Sequence, residues 1–129
     1  MTNIIHLLQN LPDFCSLTGA SEQSIQDAEE RLGVNFSTEY REYVSSFGVA
    51  SANGHELTGV CKPTRLNVVN VTLAEREVHS NVPANWYVIE QANIDGIVIW
   101  QAPSGEIYQT TPNTNPQLIY SSLAEYISG

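Results

Sequence analysis

Two tight-turn signals close together, Asp95-Gly96 and Pro103-Ser104-Gly105, constrain this chain more than any other feature. Each separates short runs rich in strand-forming residues, so the last third is expected to be an antiparallel meander. The runs are Trp86 to Ala92, Ile97 to Gln101 and Glu106 to Thr110. The middle run is apolar at four successive positions, as expected of a central strand covered on both faces. Thr111 to Gln117 contains Pro112 and Pro116 and reads as a loop. Ser121 or Ser122 is placed to cap a terminal helix, with Leu123, Tyr126 and Ile127 facing inward.

The first part of the chain has helical periods instead. Asn3 to Leu11 carries Ile4, Leu7, Leu8 and Leu11 at helical spacing, and Pro12 ends the run. Asp13 to Ala20 reads as a loop. Ser21 caps a second helix whose apolar stripe is Ile25, Ala28 and Leu32. Gly33 is placed to stop it in the left-handed conformation, with Val34 as the apolar follower. Ser37 caps a third helix with Tyr40, Tyr43, Val44 and Phe47 on one face, and Gly48 closes it.

Val49 to Gly54 is small and polar and reads as a loop, and His55 to Cys61 as a short strand. Between Asn67 and Val78 the propensities conflict. Val68, Val69 and Val71 favour a strand, whereas Leu73-Ala74-Glu75-Arg76-Glu77 favours a helix; a helix is expected over most of it. Helices first, then a meander, then a closing helix make an α+β fold. The N-terminal helices are expected to pack against a mostly antiparallel twisted sheet with a C-terminal helix. With 129 residues, one domain spanning 1–129 is expected.

Charge restricts the partners. Fourteen acids against 5 bases give a formal charge of -9. Nucleic-acid affinity comes from cations that displace counterions, so direct binding to nucleic acid is not expected. An anionic membrane surface is disfavoured for the same reason. A basic protein partner is favoured. The N-terminal residues lack the pattern of a signal peptide, so a cytoplasmic chain is expected. Cys15 and Cys61 match no metal spacing and are read as reduced thiols, with a Cys15–Cys61 disulfide as the lesser alternative.

No catalytic motif is present. The chain has neither a Gly-x-Ser-x-Gly elbow nor a Gly-rich phosphate loop. The histidines at 6, 55 and 79 pair with no Cys or His at ligand spacing, so no metal or cofactor is expected. His55-Glu56 is the least implausible acid–base pair; Cys61 as a nucleophile would need a basic neighbour in space, for which adjacency to Lys62 is weak evidence. Glu29 with Glu30 and Glu75 with Glu77 read as solvated helix charge. A non-enzyme is the expectation.

The meander offers a recognition surface. If both turns have two residues, Ile94 pairs with Ile97, Glu90 with Gln101, and Gln101 with Tyr108. Opposed residues share a face, so Glu90, Gln101 and Tyr108 form one row. Gln91, Trp100 and Gln109 form the row on the other face. Mixed polar and aromatic rows suit protein recognition. Alternatively, Trp100 is core and the Gln and Glu residues are ordinary strand surface. The candidate partner-binding residues are Glu90, Asp95, Trp100, Gln101, Glu106 and Tyr108.

The chain also resembles a family. Ala20-Ser21-Glu22, Ile25, Ala28-Glu29-Glu30, Leu32-Gly33-Val34, Tyr40, Tyr43 and Phe47-Gly48 are similar to the opening of the SUKH superfamily. Asn85 to Glu90, Ile94-Asp95-Gly96, Trp100-Gln101, Gly105 to Tyr108 and Tyr120 to Ile127 resemble its bacterial branch. Phe36-Ser37 departs from the Leu-Pro often found before the third helix. The resemblance implies a cytoplasmic immunity protein that binds and neutralises a cognate polymorphic toxin. It further implies that the toxin is a nuclease, often with an LXG-type export region. A nuclease is typically basic, which suits an acidic inhibitor. The alternatives are a regulatory or scaffolding protein of the Smi/Knr cell-wall type and, more weakly, a small enzyme using His55 and Glu56.

Overall fold

The computed structural model describes residues 3–92 and 94–129. Helix α1 spans Ile4–Gln9, α2 Glu22–Leu32, α3 Thr38–Phe47, α4 Val68–Val78 and α5 Leu123–Ser128. Strands β1 (Cys15–Ser16), β2 (Ala50–Ala52) and β3 (His55–Glu56) form a small antiparallel sheet in the order β1-β2-β3. Strands β4 (Tyr87–Gln91), β5 (Val98–Gln101), β6 (Ile107–Thr110) and β7 (Gln117–Tyr120) form the antiparallel meander. The fold is α+β, with a closing C-terminal helix.

The two central helices form where their caps place them. Ser21 Oγ accepts from Ser24 N at 3.1 Å, and Ile25, Ala28 and Leu32 are buried. Gly33 has φ 69° and donates its N–H to Glu29 O and Glu30 O, while Val34 N donates to Glu29 O. This closes the helix in the manner of a Schellman motif. Ser37 Oγ accepts from Tyr40 N at 3.0 Å, and Gly48 ends α3 at φ 70°. A side chain at Gly48 would bring Cβ to 2.4 Å from Thr18 O, so the close approach of the β1 flank also requires glycine. In α4 the helix prevails over the β-branched residues. Asn67 caps it, and Val68, Val69, Val71 and Thr72 find buried positions there.

Two loop expectations are corrected: the segments 13–20 and 49–54 contribute β1 and β2. The loop from Thr111 stands up to Pro116, and a strand, β7, begins at Gln117. The Ala and Ser residues of β2 have little strand propensity; pairing with β1 on one side and β3 on the other holds it. Strand β3 is also shorter than expected: Leu57 N still donates to Ala50 O at 3.2 Å, and past it the chain turns to bond elsewhere. Thr58 N donates to Ile89 O at 2.8 Å, tying the small sheet to β4.

The meander has two covered faces. Its inner face contributes Tyr87, Ile89, Ile99 and Ile107 to a core shared with α1, α2, α3 and α5. Its outer face carries Val88, Val98 and Trp100, which pack with Trp86, Ala102 and Val71 of α4. All four residues of β5 are buried, as a central strand requires.

Candidate functional site

Both hairpins carry longer loops than expected, and this moves the rows. In the first, Ile97 N donates to Ile94 O across Asp95 (φ 53°) and Gly96 (φ 70°), so the turn exists. The ladder closes further back, at Ala92 N to Ile97 O, and Glu90 faces Ile99. A β-bulge at Ile89 then places Tyr87 opposite Gln101. In the second hairpin Gly105, at φ 109°, completes a three-residue loop closed by Ala102 N to Glu106 O. Trp100 therefore faces Tyr108, and Gln101 faces Ile107. The expected rows Glu90–Gln101–Tyr108 and Gln91–Trp100–Gln109 do not form. A slip of one residue exchanges the faces.

The six candidate residues consequently separate. Glu90 is 7% exposed, and Trp100 and Gln101 are each 0% exposed. These three lie in the interior, so a partner cannot meet them on the surface. Trp100 donates Nε1–H to Thr110 Oγ1 at 2.9 Å. Tyr108 is half-buried and stacks on Trp86 with ring centroids 4.0 Å apart. Asp95 is exposed at the hairpin tip. Glu106 is partly exposed, and its bond from Ser104 Oγ lowers its pKa.

Glu90 anchors a polar cluster assembled from distant parts of the chain. Its Oε2 accepts from Glu56 N at 2.8 Å, and Tyr126 Oη donates to Oε1 at 2.5 Å. His55 Nδ1 lies 2.9 Å from Oε1, and the His55 ring rests 4.8 Å from that of Tyr126. Burial, and then the neighbouring carboxylate, push the Tyr126 phenol well above its usual value. Glu56 does not form an acid–base pair with His55. Its carboxylate accepts two bonds from Arg65, at 2.6 and 3.1 Å, which hold it below the usual carboxylate range.

A second buried network surrounds Gln101. Its Oε1 accepts from Tyr87 Oη at 2.8 Å and Ser37 Oγ at 3.1 Å, and Nε2 donates to Gly105 O at 3.0 Å. Glu39 caps α5 by accepting from Leu123 N and Ala124 N at 2.7 and 2.9 Å. Burial foremost raises the pKa values of Tyr40, Tyr43 and Tyr87. These groups fix how helices meet the sheet.

Other expectations about ionisable groups also change. Glu29 is not solvated charge: it accepts from Arg41 at 2.5 Å and from Phe36 N at 2.8 Å. Glu75 accepts from Gln91 Nε2 at 2.6 Å. His79 is 5% exposed at the end of α4, edge-on to Trp100. Cys15 and Cys61 are both free thiols, and burial pushes Cys61 up, away from the thiolate a nucleophile needs. Among the described residues, no three His, Cys, Asp or Glu side chains stand together as metal ligands. No described helix is long and apolar enough to cross a membrane.

A cleft of about 1060 Å³ lies elsewhere, between α2 and the segment before α4, and Arg31 and Lys62 are among its lining residues. No motif marked Arg31, and Lys62 stood out only as the neighbour of Cys61. The available signal was scarcity, since a chain with 5 cations shows each one clearly.

The chain matches the SUKH_5 family, described as SMI1-KNR4 cell-wall, over residues 1–128. No curated protein matches it. With a family match along nearly its whole length, and with capped helices, meander and closing helix in that order, the chain belongs to the SUKH superfamily.

Proposed function

We propose that this chain is a cytoplasmic immunity protein that binds a cognate toxin, a basic nuclease, and neutralises it by protein–protein contact. The observation that carries the reading is the division of the acids. Buried Glu90 and partly buried Glu39 are held by internal bonds. Asp13, Glu30, Glu42, Glu77 and Asp95 are exposed, with no hydrogen bond or ion pair from their side chains among the described residues. Arg41 and Arg65 are already paired with acids, so the exterior is more acidic than an even mixture would be. Such a surface accelerates encounter with a basic partner. Asp95, Glu106 and Tyr108 are the meander candidates that a partner can reach.

The family's description favours a second reading, a regulatory protein of the cell-wall type with an endogenous partner. Affinity capture separates the two. The immunity reading expects the protein encoded by the adjacent gene to be bound and its toxicity abolished. The regulatory reading expects the same specific endogenous partner from cells that lack any such toxin. Charge reversal at Asp95 and Glu106 is expected to slow toxin association several-fold at low salt and less at high salt. Equal rates in both salts would remove these two acids from the interface.

A further inference from the structure

We propose that the cleft beside α2 is a docking groove for an extended acidic segment of the partner protein, with Arg31 and Lys62 as its carboxylate-binding groups. The inference rests on the reading that the chain acts by binding a protein, and it assigns a place and a chemistry to part of that contact.

The starting point is where the cations go. Arg41 pairs with Glu22 and Glu29, and Arg65 with Glu56. Arg76 donates to Ala84 O at 2.8 Å. Arg31 and Lys62 engage no carboxylate among the described residues, although the chain holds 14 acids. Both line the same cleft, one from α2 and one from the segment before α4. Asp27 is the one acid in that lining, and it accepts from Gln23 Nε2 at 2.9 Å. Two cations against one acid make the cleft locally positive on a molecule of charge -9. An anionic group is drawn to such a site and repelled by the rest of the surface.

The shape argues for a peptide rather than a compact ion. Ala28, Val60 and Val69 give the cleft an apolar part, and Leu17, 53% exposed, also lines it. A smaller, mainly apolar groove of about 260 Å³ adjoins it, sharing Ser16, Leu17 and Pro63. Ser16 and Leu17 belong to β1 and its flank, Pro63 to the segment before α4, and β1 is an edge strand of its sheet. An edge strand can accept an added strand through backbone bonds. A segment alternating acidic and apolar side chains fits both features. Its acids reach Arg31 and Lys62 while its apolar groups cover Leu17 and the cleft floor.

Lys62 is the sole lysine of the sequence, which makes the test specific. Zero-length carbodiimide coupling joins amines to touching carboxylates. Applied to the purified complex with the toxin encoded by the adjacent gene, it is expected to give an amide between Lys62 and an Asp or Glu of the toxin, located by mass spectrometry. Arg31→Glu combined with Lys62→Glu is expected to weaken affinity at least about tenfold. Lys62→Arg is expected to abolish the cross-link and keep the affinity. Unchanged denaturation midpoints establish that the variants fold. If the complex forms but the double reversal changes nothing, or every cross-link joins this chain's acids to toxin lysines, the groove assignment falls and the immunity reading stands. If Lys62 couples to a second copy of this chain in the protein alone, the groove serves self-association and the proposal is overturned. If no complex forms, the immunity reading itself falls and takes this assignment with it.

Discussion

Glu90 and the Arg31–Lys62 cleft are charged regions built in opposite ways. Glu90 is enclosed, with Glu56 N, Tyr126 Oη and His55 around its two oxygens. A buried charge is tolerated only when its bonds are made, so this carboxylate is committed to the fold. Arg31 is exposed on α2, and Lys62 is exposed in the segment before α4. Both side chains are open to solvent, and among the described residues neither engages a neighbour through a hydrogen bond or ion pair. The difference teaches which charges can serve recognition. In this molecule it is not the sign of a residue but its internal engagement that separates structural groups from available ones.

The contrast is broken most sharply at Glu90. Glu90→Ala leaves a backbone N–H, a phenol and an imidazole without their acceptor, and should cost about 3–5 kcal/mol in chemical denaturation. A loss below about 1 kcal/mol would mean the cluster is not structural.

Alkaline pH comes next. Burial foremost raises the pKa values of Tyr40, Tyr43, Tyr87 and Tyr126. The folded state therefore holds these protons more tightly than the unfolded chain, whose tyrosines ionise near about 10. Their contribution to stability is intact below that pH and is lost as pH rises past it. Each costs about 1.4 kcal/mol one pH unit above. Tyrosinate absorbance from these four should appear together with loss of structure. A gradual titration of all 6 tyrosines in a folded chain would contradict this.

Tyr87→Phe is a smaller cut. It removes a bond to Gln101 and the acceptor of Ser37 N, and should cost about 1–3 kcal/mol. The smallest effect belongs to the cleft. Arg31→Glu with Lys62→Glu should leave stability within about 0.5 kcal/mol, since neither side chain bonds to another among the described residues. A larger loss would make the two cations structural after all.

The helices from Ser21 to Gly48 were legible because their signals are local. Two serine caps and two glycine stops bound them, and each operates within a few residues. The meander was legible as a series of strands but not in its register. Asp95-Gly96 does form its turn, yet the ladder closes two positions earlier than a two-residue hairpin requires, and a bulge at Ile89 moves it again. Loop length and bulges are set by packing, such as the approach of Gly96 to Pro112. That is why Glu90, Trp100 and Gln101, expected on recognition rows, lie inside. The partners of Glu90 come from residues 55, 56 and 126, and no sequence spacing joins them. Strand β2, made of Ala and Ser, carries no signal apart from its neighbours.

The most direct test is to express the protein encoded by the adjacent gene, with and without this chain, in cells exposed to whatever toxicity that protein has. The immunity reading predicts death without this chain, survival with it, and a stable complex of the two on purification. Survival without it, or toxicity that it neither relieves nor binds, would contradict the claim that this acidic domain works by capturing a toxin.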